Sequence, residues 1–195
     1  MLQTKTADAP ATAEPKRNSL EERLFKSRTI LLYGEINQKI AREVSEKLIA
    51  LSTDSDEEIR IFINSEGGHV EAGDTIHDMI RFVKAPVKVI GTGWVASAGA
   101  LIFAAPRLER RYCLPNTRFM LHQPSGGVGG QATDISIEAQ EILKMRERLN
   151  KIFAVQTGQP LDKIEKDTDR NYWMSAEEAQ KYGLVGKIIT SASEI

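Results

Sequence analysis

The order of its apolar segments constrains this chain most: short β-branched runs alternate with stretches whose apolar residues recur at helical spacing. Thr29 to Tyr33 reads as a buried strand closed by Gly34, and Glu58 to Asn64 as an alternating strand that stops at Gly67-Gly68. Val87 to Gly93 and Phe119 to His122 are two further strands. Between them, Ile40, Val44, Leu48 and Leu51 mark one helix, and Ala72, Ile76, Met79, Ile80 and Val83 mark a second that ends before Pro86. A small-residue helix, VASAGALIFAA, follows the third strand directly. Ile142, Met145, Leu149, Ile152 and Phe153 form one face of a long helix that Gly158 can cap. Strands separated by helices imply right-handed βαβ units and a largely parallel sheet, so the fold class is α/β.

With 195 residues, 41% of them hydrophobic and 27% charged, the chain can bury one core of ordinary size. We expect a flexible N-terminal tail over 1–19, one domain over 20–190 and a short C-terminal tail over 191–195. A net charge of −1 offers no electrostatic footprint for nucleic acid or an anionic membrane. No apolar run reaches the length of a membrane span, and the N-terminal segment lacks the apolar centre of a secretory signal. Cys113 is the sole cysteine, which excludes an intrachain disulfide and suits a reducing compartment. A cytoplasmic location is expected.

Three places carry candidate chemistry. Ser97 lies in Gly93-Trp94-Val95-Ala96-Ser97-Ala98-Gly99, between a strand and a helix, where small neighbours admit a substrate backbone and free N–H groups point at negative charge. Taken alone, a serine there is more often a helix N-cap. The segment is not the G-x-S-x-G elbow of α/β-hydrolases, since Val95 stands where glycine is required. His122 ends its strand and is the best base; His69 and His77 are weaker candidates. Asn64-Ser65-Glu66-Gly67-Gly68 offers a tight turn whose amides could stabilise an oxyanion, although paired glycines after a strand commonly serve only as a turn.

In order and at these distances, the motifs resemble those of the proteolytic subunit family of Clp proteases. INSEGG resembles that family's INSPGG, GWVASAGALI its nucleophile segment and LPNTRFMLHQPSGG its histidine segment. GQATDISIEAQEILKMRERLN, TGQPLDKIEKDTDR and MSAEEAQKYGLV match its C-terminal third. The likeness runs from about Leu24 to Ile189. It implies a crotonase-like spiral of βαβ units forming a wedge-shaped head, with a strand and long helix projecting as a handle. It implies a serine endopeptidase that cleaves unfolded polypeptides, with Ser97 as nucleophile, His122 as general base, and the backbone N–H groups of Gly68 and Ala98 as oxyanion donors. It further implies self-association into seven-membered rings stacked in pairs, an AAA+ unfoldase ATPase as partner, and ring-to-ring contacts through Asp169 and Arg170. No cofactor is expected, because ATP would be used by the unfoldase.

This sequence departs from the family in informative places. Where the third member of the triad is an aspartate, the aligned residue is Asn171. Its side-chain oxygen can hold the histidine ring but cannot neutralise an imidazolium, so low intrinsic activity, or dependence on a paralogous subunit, is expected. Asp169 is an alternative source of the missing charge. Glu66 replaces the proline before the paired glycines and is expected to face solvent. The segment before Leu24 lacks the family's axial-gate motif, which bears on unfoldase docking. Leu48, Phe62, Phe82 and Ile189 stand at positions like the family's docking pocket, with Arg60 where an aromatic is common.

Other features read more simply. Gly127-Val128-Gly129-Gly130-Gln131-Ala132 fits a relaxed dinucleotide fingerprint, but no second strand follows with the acidic residue such a site needs. Cys113 is expected to be a core residue, and Trp94 and Trp173 packing residues. No His/Cys/Asp cluster has metal-ligand spacing. Two rival functions remain: a catalytically silent subunit that regulates an active paralogue, and an acyl-CoA enzyme of the crotonase superfamily.

Overall fold

The computed structural model describes residues 19–127 and 129–195. Apart from Ser19, the expected tail over 1–19 lies outside the described residues.

Helix α1 (Leu20–Lys26) opens with a capping box from Ser19 and Glu22 and leads into strand β1 (Thr29–Tyr33). Helix α2 (Gln38–Asp54) starts at Asn37, whose side chain accepts from the Ile40 N–H, and buries Ala41, Val44, Leu48 and Leu51. Strand β2 (Ile59–Ser65) alternates strictly between buried and half-buried positions, as the period-2 pattern requires. Helix α3 (Val70–Phe82) buries Ala72, Ile76 and Ile80 in the same core and packs against α2 and the helix that follows β3. Strand β3 (Val87–Ala96) pairs in parallel with β2, and β1 pairs in parallel with β2 on its other side.

Strand β3 is where the sheet divides. Its first half, Val89 to Gly91, pairs with strand β4 (Arg111–Cys113); its second half, Trp94 to Ala96, pairs with strand β5 (Arg118–Leu121). Gly93 sits between the halves with φ of +63°, a left-handed conformation that permits the bend, and a Cβ there would press on the Asn64 side chain at 3.1 Å. Strand β6 (Tyr172–Met174) adds to β5 antiparallel as an edge, and strand β7 (Lys187–Ile188) adds to β4. The sheet is therefore mostly parallel, with one antiparallel edge beside the candidate site.

Helix α4 (Ala98–Phe103) is shorter than the sequence suggests, because Val95 and Ala96 belong to β3 and Ser97 forms the turn. All six of its residues are buried. Helix α5 (Ala132–Thr157) is the long helix; Gly158 closes it with φ of +73°, as expected. The segment leading into α5, residues 122–127 and 129–131, carries no strand. Helices α6 (Leu161–Asp167) and α7 (Ala176–Tyr182) flank β6. Residues 191–195, expected as a tail, include a capped turn at Ala192–Glu194, tied back by an ion pair between Glu194 and Lys187.

A buried arginine joins the head to the base of α5. Arg111 is 1% exposed and donates to the carbonyls of Pro106 and Gln156 at 2.7 and 2.8 Å, and to the Gln156 side chain. Burial pulls its pKa down to about 10, so it stays charged at neutral pH, held by carbonyl dipoles.

Burial separates the docking positions that the resemblance suggests, and it places Cys113 in the core as expected. Leu48 and Ile189 are in the core at 0% and 2% exposure, so of the four apolar docking positions only Phe62, half-buried, and Phe82, at 80%, reach the surface. Cys113 is fully buried, and burial raises its thiol pKa to about 12, which removes it as a nucleophile.

Candidate active site

Strands β3, β5 and β6 end together, and their ends hold the three residues of interest. Parallel pairing sets Ala96 beside Met120, so the residues that follow, Ser97 and the 121–122 end of β5, leave the sheet side by side. The Ser97 N–H donates to the Met120 carbonyl at 2.9 Å. Antiparallel pairing sets Leu121 opposite Tyr172; one step further along the same register, His122 stands opposite Asn171. The sheet register thus aligns three residues drawn from distant parts of the chain.

Ser97 Oγ and His122 Nε2 are 2.8 Å apart, a full hydrogen bond. Ser97 occupies the N-cap position of α4 but makes no side-chain cap bond; its hydroxyl is committed to the imidazole. Its backbone has φ of +54° and ψ of −122°. Positive φ is costly for a residue with a Cβ, by about 1–3 kcal/mol, and such strain gathers at sites that must present a side chain in one direction. The turn thus does for Ser97 what an α/β-hydrolase elbow does for its serine, although the sequence lacks that motif.

The surroundings are shaped to admit this turn. A Cβ on Gly67, whose φ is +101°, would lie 2.6 Å from the Ser97 Cβ and 2.9 Å from the Ala96 carbonyl oxygen. Ser65, fully buried, holds the Gly67 turn: its hydroxyl donates to the Gly34 carbonyl at 2.6 Å and accepts from the Gly67 N–H at 3.0 Å. Ser65 escaped the sequence reading, although a serine closing a strand before paired glycines is a recognisable side-chain-to-backbone turn. Among the described residues, the Gly68 and Ala98 N–H groups have no hydrogen-bond acceptor. The first belongs to the turn beside Ser97, and the second is the first amide of α4, a position with no intrahelical partner. Two unpaired donors therefore flank the serine.

Burial is the main influence on His122 and lowers its pKa below the ordinary histidine value; the side-chain hydrogen bond with Asn171 acts more weakly in the opposite sense. The imidazole is thus neutral at pH 7 and able to accept a proton. Asp169, the alternative partner, is turned elsewhere: its carboxylate meets Arg146 at 3.3 Å, and its carbonyl accepts from the Gln123 amide at 2.6 Å. Arg170 is exposed. The segment before Asn171 is anchored by Gln123, whose N–H donates to the Thr168 carbonyl, and by the buried bond from the Thr168 hydroxyl to Asn150.

Beside Ser97 and His122 a small pocket is lined by Val70, Leu101, Leu121, Pro124, Leu149 and Phe153, an apolar recess within reach of the hydroxyl. Glu66 is exposed, as expected. His69 pairs with Glu71 and His77 with Asp78, so neither joins the site. Among the described residues, no group of His, Cys, Asp and Glu could hold a metal ion, and no helix is long and apolar enough to cross a membrane.

Comparison with known proteins finds relatives along nearly the whole chain. A family model described as Clp protease matches residues 12–192. The ATP-dependent Clp protease proteolytic subunit 3 of Rhizobium johnstonii is 62% identical over 191 residues, covering 98% of this chain and 96% of that protein. Proteolytic subunit 2 of Gluconobacter oxydans is 60% identical over 209 residues, covering 100% of this chain and 94% of that protein. Among solved structures, ClpP1 from Listeria monocytogenes superposes with a TM-score of 0.82 at 54% identity, covering 90% of this chain and 99% of that one. A mutant of the same protein, with an asparagine replaced by aspartate, gives 0.84 at the same identity, covering 90% and 98%.

Proposed function

This chain belongs to the Clp protease family and is a serine-type proteolytic subunit, and from that premise we propose that it cleaves unfolded polypeptides by attack of the Ser97 hydroxyl, with His122 as its base. The reading is carried by the 2.8 Å contact between Ser97 Oγ and His122 Nε2 beside the two unpaired amides. For Nε2 to accept, the ring proton sits on Nδ1, where the Asn171 side-chain oxygen can receive it. His122 takes the Ser97 proton as Oγ attacks the peptide carbonyl. The oxyanion gathers toward the Gly68 and Ala98 amides, each such donor being worth about 10²–10³ in turnover. His122 then protonates the leaving amine, and water, activated by the same imidazole, releases the acyl group from Ser97.

The assembly belongs to the same proposal: rings of seven stacked in pairs, an AAA+ unfoldase feeding substrate in the cytoplasm, and Asp169 and Arg170 at the contact between rings. The exposure of Asp169 and Arg170 supports the last point. A second reading has one observation in its favour. Asn171 leaves the imidazolium without a countercharge, which suits a weak subunit that works beside an active paralogue.

Light scattering and fluorogenic peptide turnover on the same purified sample test the proposal. Turnover by a ring-sized species, abolished in Ser97→Ala, is expected. Turnover confined to a mixture with a second proteolytic subunit would favour the paralogue reading, and turnover unaffected by Ser97→Ala would refute both.

A further inference from the structure

The two tryptophans are more than packing residues. Trp94 lies on β3 and Trp173 on β6, with β5 between them. Their rings reach over β5 and stack with centroids 6.4 Å apart and planes 9° from parallel. Arg118 of β5, opposite Trp94 in the ladder, sets its guanidinium 4.4 Å from the centre of the Trp173 ring. The arrangement is on the surface: Trp94 is 43% exposed and Trp173 37%. Burial of apolar area therefore does not explain it well.

Its position along the strands does. Trp94 is three residues before Ser97, Arg118 four before His122, and Trp173 two after Asn171. Among the described residues, strand β6 has three residues, only β5 for a partner, and an edge on its other side. Its inner face is held by Met174 in the core and by Tyr172 against the Tyr182 ring, which leaves its exposed face to be fixed by side chains on β3 and β5. Upstream of Asn171 the chain is tied through Thr168 to Gln123 and Asn150; downstream, the stack ties β6 to β3 directly.

We propose that the Trp94–Arg118–Trp173 stack is a positioning clamp that holds β6 in register, so that the Asn171 side chain meets the His122 ring. The clamp rests on the reading of Asn171 as the partner of His122. A neutral amide holds an imidazole by a directional hydrogen bond that weakens steeply with misalignment. A carboxylate would hold it through a charge whose attraction falls only gradually with distance. An active site with asparagine in this place therefore depends on the placement of β6 more than one with aspartate would.

That difference sets the test. In the assembled protein, Trp173→Leu is expected to lower kcat about tenfold with KM within about twofold; in an Asn171→Asp background the same substitution is expected to cost no more than about twofold. Trp94→Leu opens the stack without altering β6 and gives the same pattern, so it decides the question should Trp173→Leu fail to fold. A rise in KM at constant kcat would make the tryptophans a substrate platform and overturn the clamp. Equal losses in both backgrounds would also overturn it, with Asn171 still the partner of His122. If Asn171→Ala leaves turnover unchanged, the reading of Asn171 itself fails and the clamp falls with it.

Discussion

Gly67 and Ser97 are packed so closely that a methyl group on the glycine would stand 2.6 Å from the serine Cβ. The strained turn at Ser97, the proposed nucleophile, and the glycine turn are thus one structure, built from the ends of β2 and β3. The chemistry of the site depends on the absence of a side chain as much as on the presence of two.

Gly67→Ala is expected to reduce peptide turnover by about 10²-fold, since moving Ser97 by about 1 Å breaks its alignment with His122. Gly158→Ala is the control. Gly158 also has a positive φ, but nothing lies within 4 Å of its missing Cβ. That variant should lose about 1 kcal/mol of stability and keep its turnover. Parallel kinetics and thermal melts distinguish the two.

The pH dependence follows from His122. Burial holds its pKa below 6.5, so the neutral, competent ring persists as pH falls through 6.5 and is lost only lower. The acid limb of kcat/KM is expected below pH 6.5. Asn171→Asp places a negative charge beside the ring, favours the imidazolium and moves that limb to higher pH. It should also raise turnover, by at most about 10⁴ on the precedent of chymotrypsin-type triads. A limb that stays in place or moves to lower pH would contradict the assignment of Asn171.

Arg111 is predicted to matter for stability and not for chemistry. Arg111→Leu leaves the carbonyls of Pro106 and Gln156 buried without a donor, at a cost of about 3 kcal/mol. A melting temperature lower by roughly 10 °C is expected, with the pH profile of the folded fraction unchanged.

Much of the fold was legible because its central strands and helices bury residues at strict periods: β1 and β2 fall within a residue of their sequence-based limits, α2 and α5 enclose their predicted faces, and α3 encloses all of its predicted face except Val83, which lies just past its end. Strands β4, β6 and β7 have two or three residues each, too short for any period, and exist because longer neighbours offer them an edge. Ser97 and His122 were legible as candidates, but their contact was not, since it depends on β3 exchanging β4 for β5 at Gly93. The stacking of Trp94 on Trp173 was hidden for the same reason: 78 residues of intervening chain separate two rings that a third strand brings together.

The account stands on the pairing of Ser97 with His122, and a fluorophosphonate probe followed by peptide mapping tests it most directly. One adduct per chain is expected, on Ser97, absent in Ser97→Ala, slowed at least about 10²-fold in His122→Ala, and forming at a rate that follows the acid limb of peptide turnover. Labelling at another residue, or labelling of Ser97 at an unchanged rate without His122, would contradict it.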